Sequence, residues 1–252
     1  MPGEADIAAV AALLADRRRC QILLALMDGR ALPASVLASE AGVAASTTSE
    51  HLSKLLDGGL LTVETSGRHR YYRLAGPQVA RVIEALSPLA RPRPVRSLRE
   101  GTRAEALRSA RLCYDHLAGR LGTALMGTLL DQDLLEGGDG RFDPAAGDRL
   151  SAPGGEVDYR VTQSGAAALH DLGIDLDALP GRRPLVRYCV DWSEQRHHLA
   201  GKLGAAVAER FFELGWIRRL PAPRAVRVTP EGEAGLRDAF GLDVRQTLAA
   251  AA

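Results

Sequence analysis

Five side chains beyond residue 110 of this 252-residue chain have the chemistry of soft-metal ligands: Cys113, His116, Cys189, His197 and His198. Thiolate sulfur and imidazole nitrogen together suit zinc and other thiophilic ions. Four of these residues recur as two matched pairs in the same order. The run Cys113-Tyr114-Asp115-His116-Leu117-Ala118-Gly119-Arg120-Leu121-Gly122 is matched by Cys189-Val190-Asp191, a six-residue insertion (192–197), then His198-Leu199-Ala200-Gly201-Lys202-Leu203-Gly204. There is no CxxC and no HxxxH, so spacing alone leaves a second reading open. In that reading Asp115 and Asp191 are N-caps of following helices, Asp191-x-x-Glu194 is a capping-box variant, and the cysteines are small buried fillers. A third reading places an organic effector between the two copies, held by Tyr114, Arg187, Tyr188 and Trp192. Trp192 belongs to the insertion, whereas Phe211, Phe212, Leu214 and Trp216 have the spacing of a helix packing into a core.

A second group of residues suits nucleic acid. Ser46, Thr47, Ser49, Glu50, His51 and Lys54 share one short segment, and Arg68, His69 and Arg70 surround Gly67. Short hydroxyls allow close approach to base edges, and Lys or Arg reaches phosphate.

The elements that must carry these groups follow from periodicity. Ile7–Leu14 is rich in alanine and leucine. Asp16 stands where an N-cap would, before Ile22, Leu23, Leu26 and Met27 at helical spacing. Gly29 ends that helix, Val36, Leu37 and Ala41 mark a third, and Gly42 breaks it. Ala45–Asp57 forms a fourth, with Leu52, Leu55 and Leu56 inward and Gly58-Gly59 as its stop. Residues 60–74 alternate as two strands about Gly67, and Val79, Val82, Ile83 and Leu86 define a fifth helix. Helix, turn, helix and hairpin make a winged helix-turn-helix, whose second helix enters the major groove.

Pro88, Pro92 and Pro94, interleaved with Arg91, Arg93 and Arg96, set a boundary, because prolines at that density cannot continue a helix. The predicted organisation is a winged-helix and dimerisation domain at 1–90, a linker at 91–104, and a duplicated domain at 105–252 with halves at about 105–180 and 181–252. Arg160-Val161-Thr162 and Arg227-Val228-Thr229, then Gly173-Ile174-Asp175 and Gly241-Leu242-Asp243, extend the duplication. Each half reads as a cap, a helix, a loop or hairpin and a second helix. The Gly- and Asp-rich stretch 131–156 reads as a mobile loop. The fold class is mainly α (α+β).

Charge agrees with this division. The net charge is +1, but residues 1–96 carry 12 Lys/Arg against 9 Asp/Glu, and residues 97–252 carry 20 against 22. A locally basic surface is sufficient for phosphate contact. Three scattered cysteines make no disulfide framework. No membrane-length apolar run or signal pattern is present, so a cytoplasmic protein is expected. Phosphate loop, nucleophile elbow and helical HExxH are missing, which argues against an enzyme.

The run Leu14-Ala-Asp16-Arg17-Arg-Arg-Cys20-Gln-Ile22-Leu23, with Leu37-Ala38, Gly42-Val43, Ser46, Ser49-Glu-His51-Leu52, Gly59-Leu60-Leu61, Gly67-Arg68 and Tyr71-Tyr72, resembles the ArsR/SmtB family over about residues 5–90. The repeat-bearing part resembles extended members of that type. The resemblance implies a homodimer built through the terminal helices, binding two-fold related operator DNA, usually as a repressor released by an effector. It also implies metal sites that this sequence lacks: Leu32-Pro33-Ala34-Ser35-Val36 has no thiol, and residues 78–86 have no histidine. Cys20, inside an apolar-periodic helix, reads as a packed residue. The effector, a small molecule or a metal ion, is then expected in the duplicated domain. The alternatives are a sensor that uses zinc or another thiophilic ion as cofactor through the repeat cysteines and histidines, or a winged-helix module that binds protein.

Overall fold

The computed structural model describes residues 4–67, 69–90, 97–149, 154, 156–221 and 224–249. The chain divides into two compact units, Met1–Ile83 and Glu84–Ala252.

In the first unit, helices α1 (Ile7–Leu14), α2 (Arg17–Ala25), α3 (Ala34–Ala41) and α4 (Ala45–Asp57) precede strands β2 (Leu61–Ser66) and β3 (His69–Leu74). Asp16 caps α2 by accepting from the backbone N–H of Arg18 and Arg19. Gly42 ends α3 in the left-handed conformation, φ 63°, which sets the turn into α4. That turn is clamped from outside it, because Arg18 Nη1 donates to the Ala41 carbonyl at 2.6 Å. Arg19 likewise donates to the carbonyls of Leu13 and Ala12, joining α2 to α1. Part of the basic charge here is therefore structural. Ile22, Leu23, Leu26, Leu37, Leu52 and Leu55 form the core, with Leu61, Tyr72 and Leu74 closing it from the hairpin. Leu61 pairs with Leu74 and Val63 with Tyr72, so one hairpin face is apolar. A short strand not expected from periodicity, β1 (Leu32–Pro33), adds to β3. Two residues are too few for a period to show. Helix α5 (Pro77–Leu86) follows.

Residues 91–96 of the proline-arginine segment lie outside the described residues. The expected linker is shorter than predicted, because α6 (Leu98–Ser109) is already helical where a linker was expected to residue 104. No proline follows Pro94 there, and Ala104-Glu105-Ala106-Leu107 are strong helix formers.

The second unit realises the duplication as two ββαββα modules. The first comprises β4 (Arg111–Cys113), β5 (His116–Ala118), α7 (Gly119–Asp131), β6 (Leu135–Glu136), β7 (Arg160–Val161) and α8 (Gln163–Asp171). The second comprises β8 (Arg187–Val190), β9 (His197–Ala200), α9 (Gly201–Glu213), β10 (Ile217–Arg219), β11 (Val226–Val228) and α10 (Pro230–Phe240), and α11 (Val244–Ala249) completes the unit. Matching residues do matching work: Thr162 caps α8 through the Gly165 N–H, and Thr229 caps α10 through the Gly232 N–H, both at 3.0 Å. Each module opens on a hairpin rather than on the expected cap and helix. Asp115 and Asp191 accordingly lie in hairpin turns and do not cap α7 or α9, whose N-caps are Ala118 and Ala200.

The modules exchange contacts. Helix α7 packs on β9 and α9 packs on β5. Leu121, Leu125 and Leu129 of α7 share one core with Leu203, Val207 and Phe211 of α9. The two copies, between which one reading placed an organic effector, thus share a continuous apolar interior. Nor is 131–156 simply a loop: it contains β6, and its Asp148 is buried.

Candidate functional site

On the winged-helix unit, α4 turns Thr48, Leu52 and Leu55 into the core. Ser46, Ser49, Glu50 and Lys54 are exposed on its other face, with Thr47 half-buried beside them. No side chain caps the helix start at Ala44, so its first N–H groups are not taken up by a capping side chain. His51 departs from the expected outward face. Its side chain is turned in, with Nδ1 3.9 Å from Asp16 Oδ1. In the wing, His69 and Arg70 are exposed, and the Arg70 guanidinium lies 5.6 Å over the Tyr72 ring. Arg68 lies outside the described residues.

In the repeat unit, four of the five predicted ligands converge. The donor atoms of Cys113, His116, Cys189 and His198 all lie within 4.8 Å of one another. Hairpin register is the cause. Cys113 stands directly opposite His116 across β4 and β5, and Cys189 directly opposite His198 across β8 and β9. Cross-strand partners share a face, so each hairpin presents one thiol and one imidazole together. The first hairpin turns tightly, with Tyr114 at φ 63°, and the second uses the inserted segment as a longer turn. Two glycines then bring the hairpins together. A Cβ on Gly122 would meet the Leu117 carbonyl at 2.5 Å and one on Gly204 the Leu199 carbonyl at 2.6 Å. His198 lies beyond the first glycine and His116 beyond the second.

The histidine rings stack with centroids 5.2 Å apart. His116 Nε2 and both nitrogens of His198 are buried without a hydrogen-bond partner among the described residues. Behind each ring stands a carboxylate. Asp115 Oδ1 is 3.1 Å from His116 Nδ1, and Asp191 Oδ2 is 3.8 Å from His198 Nδ1. Asp191 also accepts from Arg111 at 2.8 Å and from the Gly119 N–H at 2.7 Å. The neighbouring Cys189 thiol and burial push the Cys113 thiol well above its usual range. Burial opposes charge on His116, but Cys113 and Asp115 outweigh it and lift this imidazole to about 9. Burial wins at His198, taking it down to about 3 against the attraction of Asp191.

His197 is the predicted ligand that does not join. Neighbouring residues on a strand point to opposite faces. Its Nε2 lies 2.6 Å from Asp148 Oδ2 and its Nδ1 2.8 Å from the Tyr159 hydroxyl, so both nitrogens are engaged. Tyr188, expected against an effector, is fully buried in the same network and donates to Asp148 at 2.7 Å. Burial and the Asp148 carboxylate push its hydroxyl up to about 12. Trp192 stacks over Arg111 at 4.8 Å, Arg187 is exposed and Tyr114 occupies a turn. Tyr188 and Trp192 are thus taken up by Asp148 and Arg111. Arg111 and the two carboxylates were missed as partners of the ligands. The available signal was that Asp precedes His116 directly and follows each cysteine two residues on.

Comparisons with known proteins agree with the first unit and extend to the second. A family model described as a helix-turn-helix domain matches residues 14–64. The chain is 42% identical over 229 residues to YdfF of Bacillus subtilis strain 168, an HTH-type transcriptional regulator, covering 90% of this chain and 94% of YdfF. It is 40% identical over 83 residues to the HTH-type transcriptional regulator CmtR of Mycobacterium tuberculosis, covering 33% of this chain and 70% of CmtR. Among solved structures, the homodimeric winged helix-turn-helix DNA-binding domain of Mb0332 from Mycobacterium bovis is 32% identical. That match covers 35% of this chain and 89% of that one, at a TM-score of 0.31.

Proposed function

Because this chain belongs to the helix-turn-helix transcriptional regulators, we propose that it is one of ArsR/SmtB type that acts through its winged helix as a homodimeric repressor, released from its operator by an effector bound in the repeat unit. The observation that carries the operator reading is the division of α4 into two faces. Its apolar residues enter the core, and Ser46, Ser49, Glu50 and Lys54 are left outward on a helix of groove-reading length. In this reading Ser46, Thr47, Ser49 and Glu50 address base edges. Lys54, Arg70 and His69 of the wing hold phosphate, as does Arg68.

Dimerisation is supported by α1 and α5. Helix α1 is built of Ile, Ala, Val and Leu, yet none of its residues is buried. Ile7 is 76% exposed and Val82 of α5 46%. An apolar groove lined by Val10, Leu14, Leu60, Val79, Val82 and Ile83 runs between these helices. A second copy is its natural occupant, since a two-fold dimer places two α4 helices in successive major grooves.

The test is binding to DNA flanking the gene in a salt series. Arg70→Ala should weaken binding to all sequences and lower the salt slope by about 1 for each phosphate no longer neutralised. Ser46→Ala should instead change preference at one base position in each half-site. Salt-independent binding, or variants that leave both affinity and preference unchanged, would overturn the assigned face.

A further inference from the structure

We propose that Cys113, His116, Cys189 and His198 form a closed four-ligand site for a thiophilic divalent ion of the zinc class, bridging the two modules of the repeat unit. This goes beyond the operator reading and does not depend on it. Each module contributes one sulfur and one nitrogen from directly opposed hairpin positions. A tetrahedral ion with zinc-like bond lengths spaces such donors about 3.3–3.8 Å apart. Donor atoms already within 4.8 Å need about 1 Å of closure.

The unpartnered imidazole nitrogens are the independent sign of a ligand. Buried polar nitrogen ordinarily finds a hydrogen-bond partner. His198 is only 2% exposed, and neither of its nitrogens has one among the described residues. His116 spends Nδ1 on Asp115 and leaves Nε2 facing the cluster unpartnered. The Asp115 carboxylate on His116 Nδ1 is the arrangement that fixes the tautomer of a liganding imidazole and raises its basicity, and Asp191 stands 3.8 Å from His198 Nδ1. An apolar packing role would explain two cysteines, but it gives no reason to bury two stacked, underbonded histidines against them.

Donor chemistry selects the ion class. Two sulfurs and two nitrogens favour zinc, cadmium or cobalt(II) over magnesium or calcium, which take oxygen. With four protein ligands the coordination shell is full, so the ion would brace the modules and leave no position for a reacting water. The arrangement is distinct from any site on the winged helix, where the third helix starts without a thiol.

The test uses the full chain, reduced and handled anaerobically. Cobalt(II) titration should give one ion per chain, with a sulfur-to-cobalt charge-transfer band and the intense visible bands of tetrahedral geometry, both erased by zinc. Zinc should shield Cys113 and Cys189 from alkylation while Cys20 reacts at its metal-free rate. Asp115→Asn, a mild change in a turn, should weaken zinc about 10–100-fold. Cys189→Ser leaves one thiolate of two, so it should cut the charge-transfer band to about half and weaken binding, and should leave circular dichroism of the metal-free protein unchanged. If Cys189→Ser fails to fold, the alkylation pattern of the unaltered chain decides. Absence of the tetrahedral spectrum in fully reduced protein, or zinc that shields none of the thiols, overturns the site. Operator binding of the same samples is a separate readout and leaves the coordination result unaffected.

Discussion

Replacing Arg111 with methionine should destabilise the repeat unit severely, and the structure sets the size. Arg111 and Asp191 are paired at 2.8 Å with side chains 2% and 0% exposed, and they belong to different modules. Arg111 also donates to the Leu107 carbonyl and to Ser193 Oγ, and its guanidinium stacks on Trp192. Burial alone would raise the Asp191 carboxyl, but Arg111 foremost holds it far below the usual range. Methionine keeps much of the volume and removes the charge. Asp191 retains the N–H groups of Gly119, Ser193 and Glu194 but loses its counter-ion. Removing one partner of a buried pair costs about 3–5 kcal/mol. With a urea m-value of about 2 kcal/mol/M, the midpoint should fall by about 1.5–2.5 M. Both tryptophans, Trp192 and Trp216, lie in this unit, so their fluorescence reports its unfolding alone. Chelator in the buffer removes any contribution from metal. In an Asp191→Asn background the same replacement should cost far less, giving a coupling of about 2–3 kcal/mol. A midpoint shift below about 0.5 M, or a coupling near zero, would show that the backbone donors alone suffice for Asp191 and would refute the reasoning.

Two further outcomes concern the winged-helix unit. Val82→Glu places a charge on the exposed apolar stripe of α5 and should convert a dimer to a monomer in sedimentation with the unit still folded, with operator affinity falling in parallel; a dimer that persists would rule this surface out. Asp16→Ala removes the cap of α2 and should cost about 1 kcal/mol by thermal or urea unfolding. The Arg19 N–H foremost, with the Arg18 N–H and nearby charges, holds the Asp16 carboxyl below its usual range against a smaller effect of burial. A lowered folded value means the cap stabilises fully above about pH 4 and is lost as pH falls through that lowered value, so the difference between variant and parent should vanish in acid.

The winged helix was legible because its signals are local. Asp16 before an apolar-periodic run, Gly42 in the turn, and Gly58-Gly59 after α4 each act through the backbone within a few residues. The bounds of α1 and α4 follow from such signals. The duplication was legible as well, because equivalent caps and glycines recur in order. Which groups meet was not. Cys113 and Cys189 are far apart in the chain, and Cys-x-x-His carries no metal signature until a two-residue hairpin turn sets its ends opposite one another. In the second copy the inserted segment hides the same pairing in sequence, and only the strand register restores it. His197 and His198 show the limit most sharply. As letters they are interchangeable. Strand alternation sends one to Asp148 and Tyr159 and the other to the cysteines. Composition by itself determined that soft ligands were present twice. Hairpin register, and the close approach of α7 to β9 and of α9 to β5 that Gly122 and Gly204 permit, decided that four of them share one buried point.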